Sequence, residues 1–408
     1  MGFRFDRISA VLLLGISCPP AFADVACDKS YAFRVDVVEQ IGRTLCASSS
    51  SVFIDAVNNF QLSNATYTQT SPASINARFN DVNLSLAYAQ SSTTLAYNFA
   101  ELGESGSFTG TTRKESQKMF EDFVKSNNII GRIMKYQAQH SASSPLTGAG
   151  GLIPMTIAGD FNASFSNSPT AVAGPSGGTS DNLFGIQIAY GSYDLDKGGD
   201  RITTTSIPLS YTIRNDIDPR RQLSFNLPLT FVEVGSAKTA QAGLGVTYRF
   251  PLSDYWTITP GAGYTVIASA DRATVASLYS ASLASTYVIP LSGFDLSIGN
   301  MLGYYATGKL SSGNYAFDPG LKYLATRNGV MLSQPVNLMG KKLTAEYSLI
   351  DTRYLGSEKP FVDNFQELSV TLGTNKSALD ARSFIRGGFT YTQGPEIRGF
   401  RANIGYWF

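Results

Sequence analysis

The chain has 408 residues, with 32 basic and 31 acidic side chains. That near-balance offers no basic face to a nucleic acid, so a nucleic-acid partner is not expected. At 15% charged residues the chain lies well below the ~25% of ordinary soluble domains. Glycine (38) and aromatics (12%) fill the deficit instead, a balance that suits lipid-facing surface built from strands.

The one long apolar run comes first. Arg4, Asp6 and Arg7 precede Ala10 to Ser17, and Ala21-Phe22-Ala23 follows. A net basic start, a short apolar core and small residues before a cut describe a Sec signal peptide over 1–23, removed before Asp24. The run is much shorter than the ~20 residues of a spanning helix. Gly15-Ile16-Ser17 lacks the large aliphatic residue expected upstream of an acylated Cys18. With the signal removed, Cys27 and Cys46 remain. In an oxidising compartment they are expected to form a disulfide worth about 3 kcal/mol, with two buried thiols as the alternative.

Residues 24–139 read as a small α+β domain. Short strand-like stretches fall at 75–80, 83–89 and 93–99. Thr112-Arg-Lys-Glu115 has the form of a capping box, and the apolar spacing of Met119, Phe120, Phe123, Val124, Ile130, Ile133 and Met134 predicts one amphipathic helix over 112–138. Residues 140–183, rich in Ser, Gly, Pro and Thr, read as a linker or lumen-threading segment.

From 184 to 408 apolar residues recur at every second position in twelve stretches. They fall near 184–194, 201–213, 222–233, 239–250, 255–268, 277–289, 294–306, 327–337, 342–352, 364–374, 383–393 and 399–408. This is the pattern of an antiparallel transmembrane β-barrel, weak in one segment and strong when repeated. In the last stretch Phe400, Ala402, Ile404, Tyr406 and Phe408 share one face, and Arg401, Asn403, Gly405 and Trp407 the other. The first set is assigned to lipid and the second to the lumen. Outward aromatics near strand ends (Tyr190, Tyr211, Phe250, Trp256, Tyr347) fit the interfacial girdles of such barrels. Tight connections at 251–254, 290–293 and 338–341 suit the periplasmic side, and longer ones at 307–326 and 353–363 the extracellular side.

The ending Gly-Tyr-Trp-Phe resembles the assembly signal of bacterial outer-membrane barrels, with Tyr406 and Phe408 in the matching positions. The resemblance covers 184–408 and implies a Gram-negative outer-membrane location, with lipid and the barrel-assembly machinery as partners. Size and strand count are similar to autotransporter translocator domains. The region ahead of the barrel departs from them, being short and without a repetitive β-helical passenger.

Catalysis is not expected. Hydrolases built on such barrels need a histidine beside a serine or aspartate. The only histidine, His140, lies outside every predicted strand, at a helix end where a cation is favoured. No cofactor or metal motif is recognisable. Gly243-Leu-Gly245 and Gly261-Ala-Gly263 open no helix and are assigned to the lumen wall, as curvature relief or as space for another segment. Gln187, Gln241, Arg249, Glu346, Gln366, Arg386, Arg401 and Asn403 are the lumen-facing polar residues by strand parity. They would line a weakly anion-selective path if the lumen conducts, or form closed ladders if it does not. The leading expectation is a channel or transporter whose small N-terminal domain acts as a plug or as a periplasmic partner site. The alternatives are an autotransporter-like secretion or surface-display protein, and an adhesive surface barrel. The transported solute or polypeptide is not legible.

Overall fold

A computed structural model describes residues 27, 29–37, 44–47, 49–50, 52, 68–165, 182–196, 200–312, 315–338, 340–374 and 383–408. The predicted signal peptide lies outside these residues.

The N-terminal region is a six-stranded antiparallel sheet ordered β2-β1-β3-β4-β5-β6, from β1 (Tyr31–Val37), β2 (Leu45–Ala47), β3 (Ala73–Phe79), β4 (Val82–Tyr88), β5 (Thr94–Phe99) and β6 (Glu104–Thr109). Three of these match the predicted stretches; β1, β2 and β6 were not foreseen. Cys27 and Cys46 are disulfide-bonded across 19 residues, Cα atoms 6.1 Å apart. β3 and β4 are joined by Asn80-Asp81 with φ of 49° and 68°. Two consecutive left-handed residues make the tight hairpin turn whose twist matches the strands.

Where one helix was expected there are two, α1 (Arg113–Ser126) and α2 (Ile129–His140). Asn128 adopts φ 54°, ψ 29°, and a left-handed residue cannot continue a right-handed helix. The apolar spacing survives the break because both helices pack on the same sheet face. Phe120, Ile129 and Ile133 join Leu95, Tyr97 and Phe99 in one core. The capping box forms in altered register. The Glu115 amide donates to Thr112 Oγ1 at 3.2 Å, while the Glu115 carboxylate accepts from Thr111 N and Oγ1, both at 2.7 Å. The Thr111 hydroxyl and amide hold that carboxyl below its ordinary range.

The predicted linker contains a third helix, α3 (Leu152–Ser164). Its Ser- and Gly-rich flanks hide it in the sequence. Its own residues lack a one-sided apolar stripe because it is surrounded.

The remainder closes into an antiparallel barrel of twelve strands. They are β7 (Leu183–Leu195); β8 (Ile202–Ser206) with β9 (Leu209–Arg214); β10 (Gln222–Leu227) with β11 (Leu229–Val234); β12 (Ala237–Pro251); β13 (Trp256–Ser269); β14 (Thr274–Leu291); β15 (Phe294–Gly308); β18 (Lys322–Leu338); β19 (Lys341–Leu355); β20 (Asn364–Gly373); β21 (Phe384–Gly394); and β22 (Ile397–Trp407). A small hairpin, β16 (Leu310–Ser312) and β17 (Tyr315–Phe317), decorates the connection before β18. Two strands are written in halves because Pro208 and Pro228 lack the amide a ladder needs. Their carbonyls still accept from Gln187 N and Gly243 N, both at 3.1 Å. Closure is made by β22 against β7, from Ile397↔Leu195 to Trp407↔Gly185.

The outer wall is apolar all round: Ile188, Tyr190, Leu244, Leu283, Leu302, Tyr304, Leu349, Leu368, Phe389, Phe400 and Ile404 are each at least 46% exposed. Such a belt greatly exceeds the few hundred Å² of contiguous apolar surface that a soluble monomer exposes. It is the surface a bilayer covers. Among the described residues no helix is long and apolar enough to cross a membrane; the strands do the crossing.

The N-terminal domain is docked on the barrel end away from Leu183 and Phe408, here termed distal. Four distal connections hold it. Lys29 pairs with Asp200 at 2.9 Å. Ser50 donates to Asp271 O (2.6 Å) and Ala270 O (2.5 Å). Asn128 exchanges two bonds with the Asp318 backbone (2.7 and 2.9 Å). Phe361 N donates to Ala138 O at 3.1 Å, and Lys135 pairs with Glu358 at 3.0 Å. The turn after β13 is the most enclosed seat. Arg272 is 2% exposed, its carbonyl accepts from Asn80 Nδ2 at 2.9 Å, and Asn80 Oδ1 accepts from the buried Tyr31 hydroxyl at 2.6 Å. Asn80→Gly keeps the left-handed backbone but removes one buried hydrogen bond from the Tyr31 hydroxyl and one from the Arg272 carbonyl. It is expected to loosen the domain by about 1–3 kcal/mol, read as faster limited proteolysis of the domain with the barrel intact.

The barrel lumen as candidate functional site

The inner wall follows the alternation read from the sequence. Gln187, Gln241, Arg249, Glu346, Arg386, Arg401 and Asn403 all lie on inward positions. Gln366 does not. On β20 it shares the outer face with Leu368, Val370 and Leu372, and its amide donates to Asp351 at 2.8 Å. A strand's faces alternate residue by residue, so reading β20 one position off exchanged them. Its neighbour Glu367, 5% exposed, faces inward in its place. Tyr406 and Phe408 are outward and 44% and 52% exposed. Trp407 turns inward, stacked on Phe384 with centroids 4.7 Å apart. The small residues Gly185 and Gly405 provide the space beside it.

Helix α3 lies inside the barrel along this wall. Two of the predicted lumen residues grip its two ends from the same strand, β12. Gln241 Nε2 donates to Gly150 O at 2.9 Å, and Arg249 Nη2 donates to Ser164 O at 2.6 Å. A cation at a helix C-terminus also meets the negative end of the backbone dipole. Midway, the Tyr305 hydroxyl donates to Asp160 Oδ2 at 3.1 Å. Phe161 and Phe165, 0% and 1% exposed, pack over Gly299 and Gly329: a Cβ at Gly299 would collide with the Phe165 ring, and one at Gly329 would press on both rings at 3.2 Å. The Arg327 guanidinium lies 5.4 Å from the Phe161 centroid. Ile153, Ile157, Leu278 and Met301 complete a core shared by helix and wall.

From β18, which also touches α3, round to β22 the wall is charged and paired. Arg327, 0% exposed, bonds Thr352 Oγ1 at 2.7 Å and forms a short ion pair with Glu367. Arg401 approaches Glu367 at 3.7 Å, and Arg386 Nε donates to Glu346 at 2.8 Å. These are cross-strand ladders, one of the two forms expected of the lumen residues. Arg327 and Glu367 were missed by sequence reading, as were Asp160 and Tyr305. For Arg327, the first residue of the predicted stretch 327–337, the available signal was its inward strand parity. Between α3 and this wall remains a polar cavity of ≈ 190 Å³. Asp160, Gln187, Asn226, Arg386, Arg401 and Asn403 are among its lining, as are Gly245 and Gly263. Two of the four glycines that seemed to leave room, Gly245 and Gly263, thus border the space beside the helix.

His140 ends α2, exposed, stacked on Tyr136 at 4.1 Å and bonded to Tyr136 O at 2.9 Å. Among the described residues no group of His, Cys, Asp and Glu could hold a metal ion.

A closed antiparallel barrel with an apolar exterior, a polar lumen and a small α+β region ahead of it defines the class: a transmembrane β-barrel of the outer-membrane type. No family model matches the chain, and no curated protein matches it. Solved structures similar in part include the β domain of the Bordetella autotransporter Brka, with 12% identity, 56% of this chain and 98% of that one covered, and TM-score 0.43. Another is the translocator domain of the autotransporter NalP from Neisseria meningitidis, with 11% identity, coverage of 63% and 94%, and TM-score 0.44. A third is an outer-membrane channel from Pseudomonas putida F1, with 11% identity, coverage of 57% and 96%, and TM-score 0.37.

Proposed function

We propose that the protein is an outer-membrane surface-display barrel that carries its own N-terminal domain to the outside and keeps it there. The observation that carries this reading is the path of the chain. The domain sits on the distal mouth, α3 runs inside the lumen, and β7 begins at the proximal end beside Phe408. Strand number is even, so both barrel ends lie on one side of the membrane, which in this class is the periplasm. The distal mouth then faces outward, and the domain reaches it through the lumen. Outer-membrane lipid and the barrel-assembly machinery are the partners this reading implies, and the exported polypeptide is residues 24–139. A catalytic role is not part of it.

The test uses intact cells and added protease. Cleavage within the N-terminal domain, with the barrel band retained, is the expected result. Protection of the domain in intact cells, with cleavage after the outer membrane is permeabilised, would reverse the orientation and defeat the proposal.

A second reading, a solute channel closed by α3 as a plug, is favoured by the polar cavity of ≈ 190 Å³ beside the helix. That space is enough for a few water molecules or a small hydroxylated solute, and conductance tests it.

A further inference from the structure

We infer that the lumen wall is a receptor for α3 that sets where export of the chain stops, with Gln241, Arg249, Gly299 and Gly329 as its positioning residues. The inference rests on the surface-display reading and adds to it the device that ends transit.

The need for such a device follows from chain length. Eighteen residues, 165 to 182, separate α3 from β7. Fully extended they reach about 59 Å, at about 3.3 Å per residue. The hydrocarbon layer is only about 30 Å thick. The tether alone would therefore let α3 overrun the lumen and leave through the distal mouth. The seats of the domain on the distal mouth and the grip of the lumen wall on α3 together hold the helix at one depth.

The wall has the features of a depth gauge. Gln241 and Arg249 are separated by eight positions on β12 and bond the residues just outside and at the end of a 13-residue helix. Eight strand residues rise about 27 Å and 13 helical residues about 20 Å. With the strand tilted about 40° to the barrel axis, the two lengths agree. The grip at each end is on a backbone carbonyl, so it measures length rather than side-chain identity. Identity is read between the clamps. Phe161 and Phe165 lie one turn apart on α3 and rest where Gly299 and Gly329 leave no side chain in the way. Tyr305 meets Asp160 on the neighbouring turn position. In the exported domain helix α1 carries its two rings, Phe120 and Phe123, three residues apart rather than four, a spacing that differs from that of the pair seated on the two glycines. Transit proceeds until α3 arrives.

The experiment places a reporter in the helix, Ala163→Cys, which lines the cavity inside the lumen. Whole cells carrying the full chain are treated with a polymer-coupled maleimide too large to enter the barrel. With the native seat, labelling stays at background. Phe161→Ala with Phe165→Ala changes no strand residue, and retention of the heat-modifiable band on gels reports the barrel as assembled. In that variant labelling is expected to rise about tenfold, because two buried rings are lost from the seat. Arg249→Gln is expected to act in the same direction and Arg249→Lys to return labelling toward background, since a cation restores the helix-end bond. Background labelling in both the double variant and Arg249→Gln, with the domain still cleaved from outside, would overturn the inference alone. A domain protected from external protease in every variant would instead overturn the display reading and the inference with it.

Discussion

A chain lacking residues 24–165 is expected to conduct severalfold more current in a planar bilayer than the intact chain, whereas one lacking only 24–150 should stay close to the intact value. The difference isolates α3. An α-helix with its side chains is about 10–12 Å across, and here it fills the side of the lumen formed by β12 to β15 and β18, leaving ≈ 190 Å³ beside it. The strand ladder from β7 through β22 closes without any N-terminal residue, so the shorter chain retains its wall. Removal of 24–150 also removes Gly150, and with it the Gln241 clamp, but leaves Phe161, Phe165, Asp160 and the Arg249 grip on Ser164. Equal conductance of the two truncations would mean that α3 does not limit the path, and would remove the support for the plugged-channel reading.

The second large effect is expected at the ion pair of the charged wall. Arg327→Met leaves Glu367 inside the lumen wall with Arg401 at 3.7 Å as its remaining cation. Both members of the pair are almost fully buried, with side-chain exposures of 1% and 7%. Breaking such a pair from one side costs about 3–5 kcal/mol, while replacing both members costs much less. The urea midpoint of the folded, heat-modifiable form is therefore expected to fall strongly in Arg327→Met. Adding Glu367→Gln should recover a large part of the loss. Additive losses in the double variant would show that the pair is not coupled, and would return both residues to the role of independent lumen lining.

These two expectations differ in how visible their residues were beforehand. The barrel was legible because every strand writes its two environments into alternate residues. Lipid demands Phe400, Ile404 and Tyr406 on one face and tolerates Arg401 and Asn403 only on the other. The same rule identified Gln241 and Arg249 as inward. It could not say that they hold a helix, because their partners are carbonyls of residues 150 and 164, some 85 to 91 positions away. Gln366 shows the weak point of the rule, since a slip of one residue exchanges the two faces. Glu367, its neighbour, carries the charge that matters.

What the sequence determined by itself is local and periodic: twelve strands, their apolar and polar faces, the pairing of Cys27 with Cys46, and the helical spacing from Phe120 to Met134. Local periodicity suffices there because each strand meets one lipid environment along its whole length. The tertiary structure alone decided where the helix breaks at Asn128, that a helix lies inside the segment 140–183, and on which mouth the domain rests. Asn128 turns left-handed while its side chain bonds Asp318 of the barrel. Helix α3 has no one-sided stripe because wall and cavity surround it. The domain's seat is made by Asn80 and Arg272, residues 192 positions apart. Each of these depends on atoms brought together by closure of the barrel, and no pattern along the chain encodes a contact of that range.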